Sequence, residues 1–166
     1  MNVSIRVKMK SEYIYDTLLY HVYSRLSGFL INMTGLTLLI MGGLWLRSGR
    51  LTPLQAAGYL LMGAAVLVYT PLSLRIRAGR MMAEPKYREE IRYQFDHSGI
   101  LEEISGNTVR YDWTQVERAV ATPKNIVFYM QESSVLVFPK AFLQTDFMDL
   151  MKLIIANMTR EQVYIR

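Results

Sequence analysis

Gly28–Leu46, GFLINMTGLTLLIMGGLWL, and Leu54–Leu74, LQAAGYLLMGAAVLVYTPLSL, are free of charged side chains. Each is about as long as the roughly 20 apolar residues an α-helix needs to cross a bilayer. The charge-free windows reach from Arg25 to Arg47 and from Arg50 to Arg75. Neither stretch therefore carries the central charge that would cost about 3 kcal/mol on insertion. A chain of 166 residues has too little other apolar surface to cover two such helices as soluble core, and Gly28–Leu46 is too long for the apolar region of a signal peptide. The two stretches predict a transmembrane hairpin joined by the short, Gly- and Pro-containing segment 47–53.

Lys and Arg set the orientation. Lys8, Lys10 and Arg25 precede the first span, and Arg75, Arg77, Arg80, Lys86 and Arg88 follow the second, against Arg47 and Arg50 between them. The excess predicts a two-pass protein of the cell membrane with both termini cytoplasmic. Arg75, Arg77, Arg80, Lys86 and Arg88 are also the candidates for contact with anionic headgroups. Within the hairpin, Asn32, Gly35, Leu39 and Gly42 fall on one helical seam. Ala57 and Ala64 repeat at seven on the other helix, with Gly58 and Ala65 beside them. Small residues at that spacing predict close antiparallel packing, with Asn32 placed for a hydrogen bond between helices, and Pro71 predicts a kink.

Outside the hairpin the period changes. Val3, Ile5, Val7 and Met9 alternate with polar residues, as in a strand with one buried face. From Glu12 to Ser27 the recurrence of Ile14, Leu18, Val22 and Leu26 predicts an amphipathic helix at the membrane surface. After Glu90 come six strand runs: 91–95, 100–104, 109–113, 115–122, 126–130 and 135–138. Ser105, Gly106 and Asn107 give a hairpin signal between the second and third. Thr145 is placed to cap a helix whose apolar stripe is Phe147, Leu150, Met151, Ile154 and Met158, and residues 162–166 suit a short edge strand. The predicted domains are 1–27 (strand and amphipathic helix), 28–74 (hairpin), 75–89 (basic juxtamembrane linker) and 90–166 (cytoplasmic β domain). Because the first strand has no local mate, it is expected to join the C-terminal sheet, which makes the hairpin an insertion within one domain.

Tyr93-Gln94-Phe95-Asp96-x-x-Gly99-Ile100, Tyr111-Asp112-Trp113-x-x-Val116 and Phe138-Pro139-Lys140-x-Phe142, behind two hydrophobic spans, resemble YcxB-like bacterial membrane proteins. That resemblance implies a pleckstrin-homology-like C-terminal domain: a small antiparallel barrel or sandwich closed by a C-terminal helix, with no assigned activity. Within the motifs, Trp113 reads as a core anchor and Gly99 as a position needing positive φ. Lys140 and Phe142, at a strand exit, are the partner-surface candidates.

Catalytic signatures are missing from the sequence. There is no Cys and only two His, His21 and His97, so thiol chemistry, disulfides and Cys-based zinc sites are excluded. No nucleophile elbow, metalloprotease helix, P-loop or dinucleotide fingerprint occurs. Glu89-Glu90 and Glu102-Glu103 are adjacent, so on strands the two members of each pair point to opposite faces. The net charge of +5 lacks the aromatic interleaving of a nucleic-acid surface. The expectation is a non-catalytic, membrane-anchored module with no cofactor, no metal, no small-molecule substrate and no nucleic-acid partner. Its expected partners are membrane lipids and a protein or a second copy of the chain. The alternatives are an anionic-lipid or envelope sensor and a subunit of an oligomeric transporter or channel.

Overall fold

The computed structural model describes residues 2–131 and 134–165. The chain forms two units: Leu18–Arg77, and a β-rich unit assembled from Met1–Thr17 together with Ala78–Arg166. Both crossings between them, at residues 17–18 and 77–78, fall inside helices. The β-rich unit is thus discontinuous in sequence, as the unmatched first strand predicts.

In the β unit, β1 (Val3–Lys8), β2 (Glu90–Asp96), β3 (Gly99–Ile104) and β4 (Asn107–Tyr111) form one antiparallel sheet in that order. β1 lies along β2 with Val3 opposite Phe95 and Val7 opposite Ile91. Its inward residues are buried and its outward ones exposed in strict alternation, the pleat period read from the sequence. Ser105 and Gly106, at φ 53 and 81, link β3 to β4 with the two positive φ values a type I′ turn requires. The second sheet has the order β7 (Val135–Pro139), β6 (Asn125–Met130), β5 (Val116–Ala121), β8 (Val163–Tyr164), with β8 parallel to β5.

The inner faces of the two sheets meet in an aromatic cluster. Phe138 is the hub, with ring centroids 4.8 Å from Tyr93, 5.0 Å from Phe95 and 4.9 Å from Phe128. Edge-to-face packing at these separations adds about 1 kcal/mol per pair beyond area burial. The helix α5 (Phe147–Asn157) buries Leu150, Leu153 and Ile154 in the same core. Asp146 precedes its first residue; the side chain of Thr145, the predicted cap, and Arg166, in the predicted edge strand, lie outside the described residues.

The sheets do not close into a barrel. After Tyr111 the chain leaves β4 through a short turn capped reciprocally by Asp112 and Gln115, which sends it to the other sheet. Trp113, predicted to extend the third strand, sits in that turn, 6% exposed, with its indole N–H donating to the Asp96 carbonyl at 2.8 Å. β4 is therefore left as an open edge. Val109, in the predicted third strand run, is 47% exposed.

In the other unit, α1 (Ser11–Tyr23), which begins in the β unit, ends four residues earlier than predicted, because Arg25 adopts an extended conformation. α2 (Leu26–Arg47) and α3 (Pro53–Met81) follow, both long and apolar enough to cross a membrane. Thr52, Pro53 and Gln55 start α3 with a reciprocal cap, the Thr52 N–H donating to Gln55 Oε1 at 3.0 Å. α3 continues through Pro71 and past Leu74, so Arg75, Arg77 and Arg80 lie on helix and not in a linker. The buried seam of α2 runs through Gly28, Gly35 and Gly42, as expected for the last two. On α3 it runs through Ala56 and Gly63, whereas Ala57 and Ala64 are exposed. Both pairs repeat at seven. Backbone approach decides between them, since a Cβ on Gly63 would lie 2.9 Å from the Gly35 carbonyl oxygen. Asn32 turns its amide back to the Gly28 carbonyl of its own helix at 3.1 Å instead of crossing to α3.

Candidate functional site: a buried carboxylate in an open cleft

β3 alternates Ile100, Glu102 and Ile104 on one face, so the pleat that buries Ile100 and partly buries Ile104 also drives a carboxylate toward the core. Across the sheet Glu102 sits between Tyr93 on β2 and Val109 on β4. Its side chain is 3% exposed. An ionised carboxylate at such a depth is tolerated only when it is hydrogen-bonded or paired. Both apply here. The Tyr93 hydroxyl donates to Oε1 at 3.0 Å and the Tyr111 hydroxyl to Oε2 at 3.1 Å. Lys86, on the single-turn helix α4 (Pro85–Arg88), places Nζ 3.4 Å from Oε1.

That ion pair is long, since a tight ammonium–carboxylate contact is about 2.8 Å, and Lys86 is 47% exposed. Burial first, and then the neighbouring Glu102, push the Tyr93 phenol well above its ordinary range, which keeps it a donor. Burial followed by Glu84 and Glu102 raises Tyr87 in the same way. Because β4 is an open edge, the carboxylate looks into a cleft of about 330 Å³ whose walls include Pro85, Ile104 and Val109. Glu89, which accepts the Ser105 hydroxyl, also lines it. Two carboxylates and one ammonium leave the lining net negative. Among the described residues no group of His, Cys, Asp and Glu is arranged to hold a metal.

The residues singled out from sequence are placed differently. Lys86, a headgroup candidate, faces Glu102, while Arg75, Arg77, Arg80 and Arg88 are exposed. Lys140 and Phe142, the partner-surface candidates, are half-buried and engaged inside the β unit. Lys140 Nζ donates to the Thr122 carbonyl at 2.6 Å, and the Phe142 ring packs edge-on against Tyr13 at 6.2 Å. They flank a polar clamp that fixes the start of α1 to the β5–β6 turn. Asn125, fully buried, donates to the Tyr13 carbonyl at 2.8 Å and to Asp16 at 3.0 Å, and Lys124 pairs with Glu12 at 2.6 Å. Glu102 was legible as a carboxylate in phase with Ile100 and Ile104; asking only whether neighbouring Glu residues share a face misses it.

The motif residues meet in space: Phe138 on Tyr93 and Phe95, Trp113 on Asp96, and Gly99, at φ 155, so close to Tyr111 that a Cβ would lie 2.3 Å from its carbonyl oxygen. Residues 95–154 match the family described as YcxB-like protein. The YcxB-like region runs from the end of β2 through β3–β7 into α5, and takes in Gly99, Trp113, Phe138, Lys140 and Phe142. Phe95, Phe128 and Phe138, which meet between the two sheets, and Glu102 lie within it. No curated protein matches the chain.

Proposed function

We propose that the chain is a membrane-anchored, non-catalytic module in which a two-span hairpin interrupts a pleckstrin-homology-like β domain that offers a cytoplasmic surface to a protein partner. The observation that carries this reading is the insertion itself: a β unit built from both sides of a span-length helical pair. Membrane insertion is supported by the exposure of Leu26, Leu54, Leu61 and Tyr69, each at least 72%, on helices long and apolar enough to span a bilayer. The pleckstrin-homology likeness rests on two packed sheets with a C-terminal helix, and interaction by such modules is a fold-level analogy. Affinity purification of the full chain in mild detergent tests the reading. A stoichiometric co-purifying protein is expected, and a chain that purifies alone under conditions preserving its fold overturns it. A reporter active only outside the membrane should work when inserted at Ser48 and fail at the termini; activity at a terminus overturns the orientation.

A second reading is favoured by Arg75, Arg77 and Arg80, exposed on the last turns of α3. At about 1 kcal/mol each they would attract an anionic leaflet. Neutralising all three should weaken spin-label contact with anionic lipid at Gly79, and unchanged contact removes this reading.

A further inference from the structure

We infer that the cleft over β3 and β4 is a binding site for an alkylammonium group, with Glu102 as its anionic receptor and Lys86 as an internal stand-in for the ligand. The inference rests on the reading of the β unit as a binding module and names the chemistry it recognises. Three observations carry it. Glu102 is a carboxylate whose side chain is 3% exposed and already oriented by two phenol donors, so the receptor is built before any ligand arrives. Its only cationic neighbour among the described residues, Lys86, stands off at 3.4 Å on a single turn of helix and is half solvated, so it can leave at little cost. The approach to the carboxylate is apolar, with Ile104 and the exposed Val109 on the walls, which suits the methylene stem of a ligand whose head is cationic. A cleft of about 330 Å³ is at the small end of ligand sites. Glu89 at the rim adds negative charge, which disfavours anions.

An alkylammonium head can come from a lysine side chain of a protein or from a free amine, and the experiment separates them. The full chain in non-ionic detergent is titrated with Nα-acetyl-lysine methylamide, putrescine and Nα-acetyl-norleucine methylamide, following the methyl resonances of Ile104 and Val109. Saturable shifts with the lysine derivative or putrescine, and none with norleucine, are expected; the tighter of the two cations identifies the source. Glu102→Gln should weaken binding at least tenfold. Lys86→Met, which removes the competitor and leaves the buried carboxylate in place, should tighten binding at least threefold and guards against a Glu102→Gln protein that does not fold. Equal response to norleucine, or unchanged or weaker binding in Lys86→Met, overturns the inference. Failure of these probes in a chain that still captures a protein partner would overturn the cleft and not the interaction-module reading.

Discussion

In the hairpin, Gly35 and Gly63 let two backbones touch, while Leu26, Leu54 and Leu61 point away from the protein. In the β unit, Phe138 touches three other aromatic rings, and the inward residues of β1 and β2 are buried. One region brings glycine backbones together at its interface, with Leu39, Tyr59 and Leu67 set against them, and shows its apolar surface; the other fills its interior with large aromatic side chains. The first arrangement is stable where the surroundings are as apolar as leucine, so that close packing replaces the hydrophobic effect as the source of association. The second is what water demands.

The largest expected effect on the contrast between the two units is that of Phe138→Ala. Removing the hub of the aromatic cluster should destabilise the β unit by about 3–5 kcal/mol, measured by denaturant unfolding in mild detergent with near-ultraviolet circular dichroism. Amide protection in α2 and α3 should survive; joint loss would show that the two units are not separately stabilised. Next comes Gly63→Leu, which forces a side chain between Gly35 and Leu39 and should cost about 1–3 kcal/mol. Amide exchange in α2 and α3 should rise while β2–β7 is unchanged. Ala64→Leu, one residue along on the exposed face, should do nothing measurable. Equal effects of the two would return the seam to Ala57 and Ala64.

The smallest effect is electrostatic. The hydrogen bond from Lys124, and then its charge, hold the Glu12 carboxyl below its ordinary range. A depressed folded value contributes stability above the unfolded carboxylate range, about 4, and loses it as pH falls through the folded value. Glu12→Gln should therefore lower stability slightly at neutral pH and flatten the acid limb of a pH–stability profile, with no change in the hairpin. An unchanged acid limb would show that the pair does not help hold α1.

Periodicity was legible wherever one face is buried. The alternation of β1, the Ser105-Gly106 turn and the positive φ at Gly99 were all readable, because each follows from local geometry. Two errors came from patterns that fit twice. Ala56 and Gly63 share their spacing with Ala57 and Ala64, and the apolar recurrence through Leu26 ran on past the break that Arg25 imposes. The site was less legible, because it depends on pairing between distant segments. Lys140 and Phe142 look like a surface until the fold sets one on the Thr122 carbonyl and the other against Tyr13. Glu102 looks like half of a solvated acidic pair until the register sets it between Tyr93 and Val109. The open edge at β4 was hidden for the same reason: a strand that alternates in sequence stays half-exposed when the next turn carries the chain to another sheet.

The chain's first strand completes a domain whose remainder lies beyond the hairpin. Deleting Asn2–Lys10 from the full chain and following amide hydrogen exchange tests it most directly. With β1 gone, β2 loses one of its two ladders and the buried row of Val3, Ile5 and Val7 beside it. Exchange should rise sharply across Ile91–Phe138, most at β2, although α3 still joins that segment to the hairpin. Unchanged protection there would contradict the claim, for it would mean that the β domain is complete without its first strand.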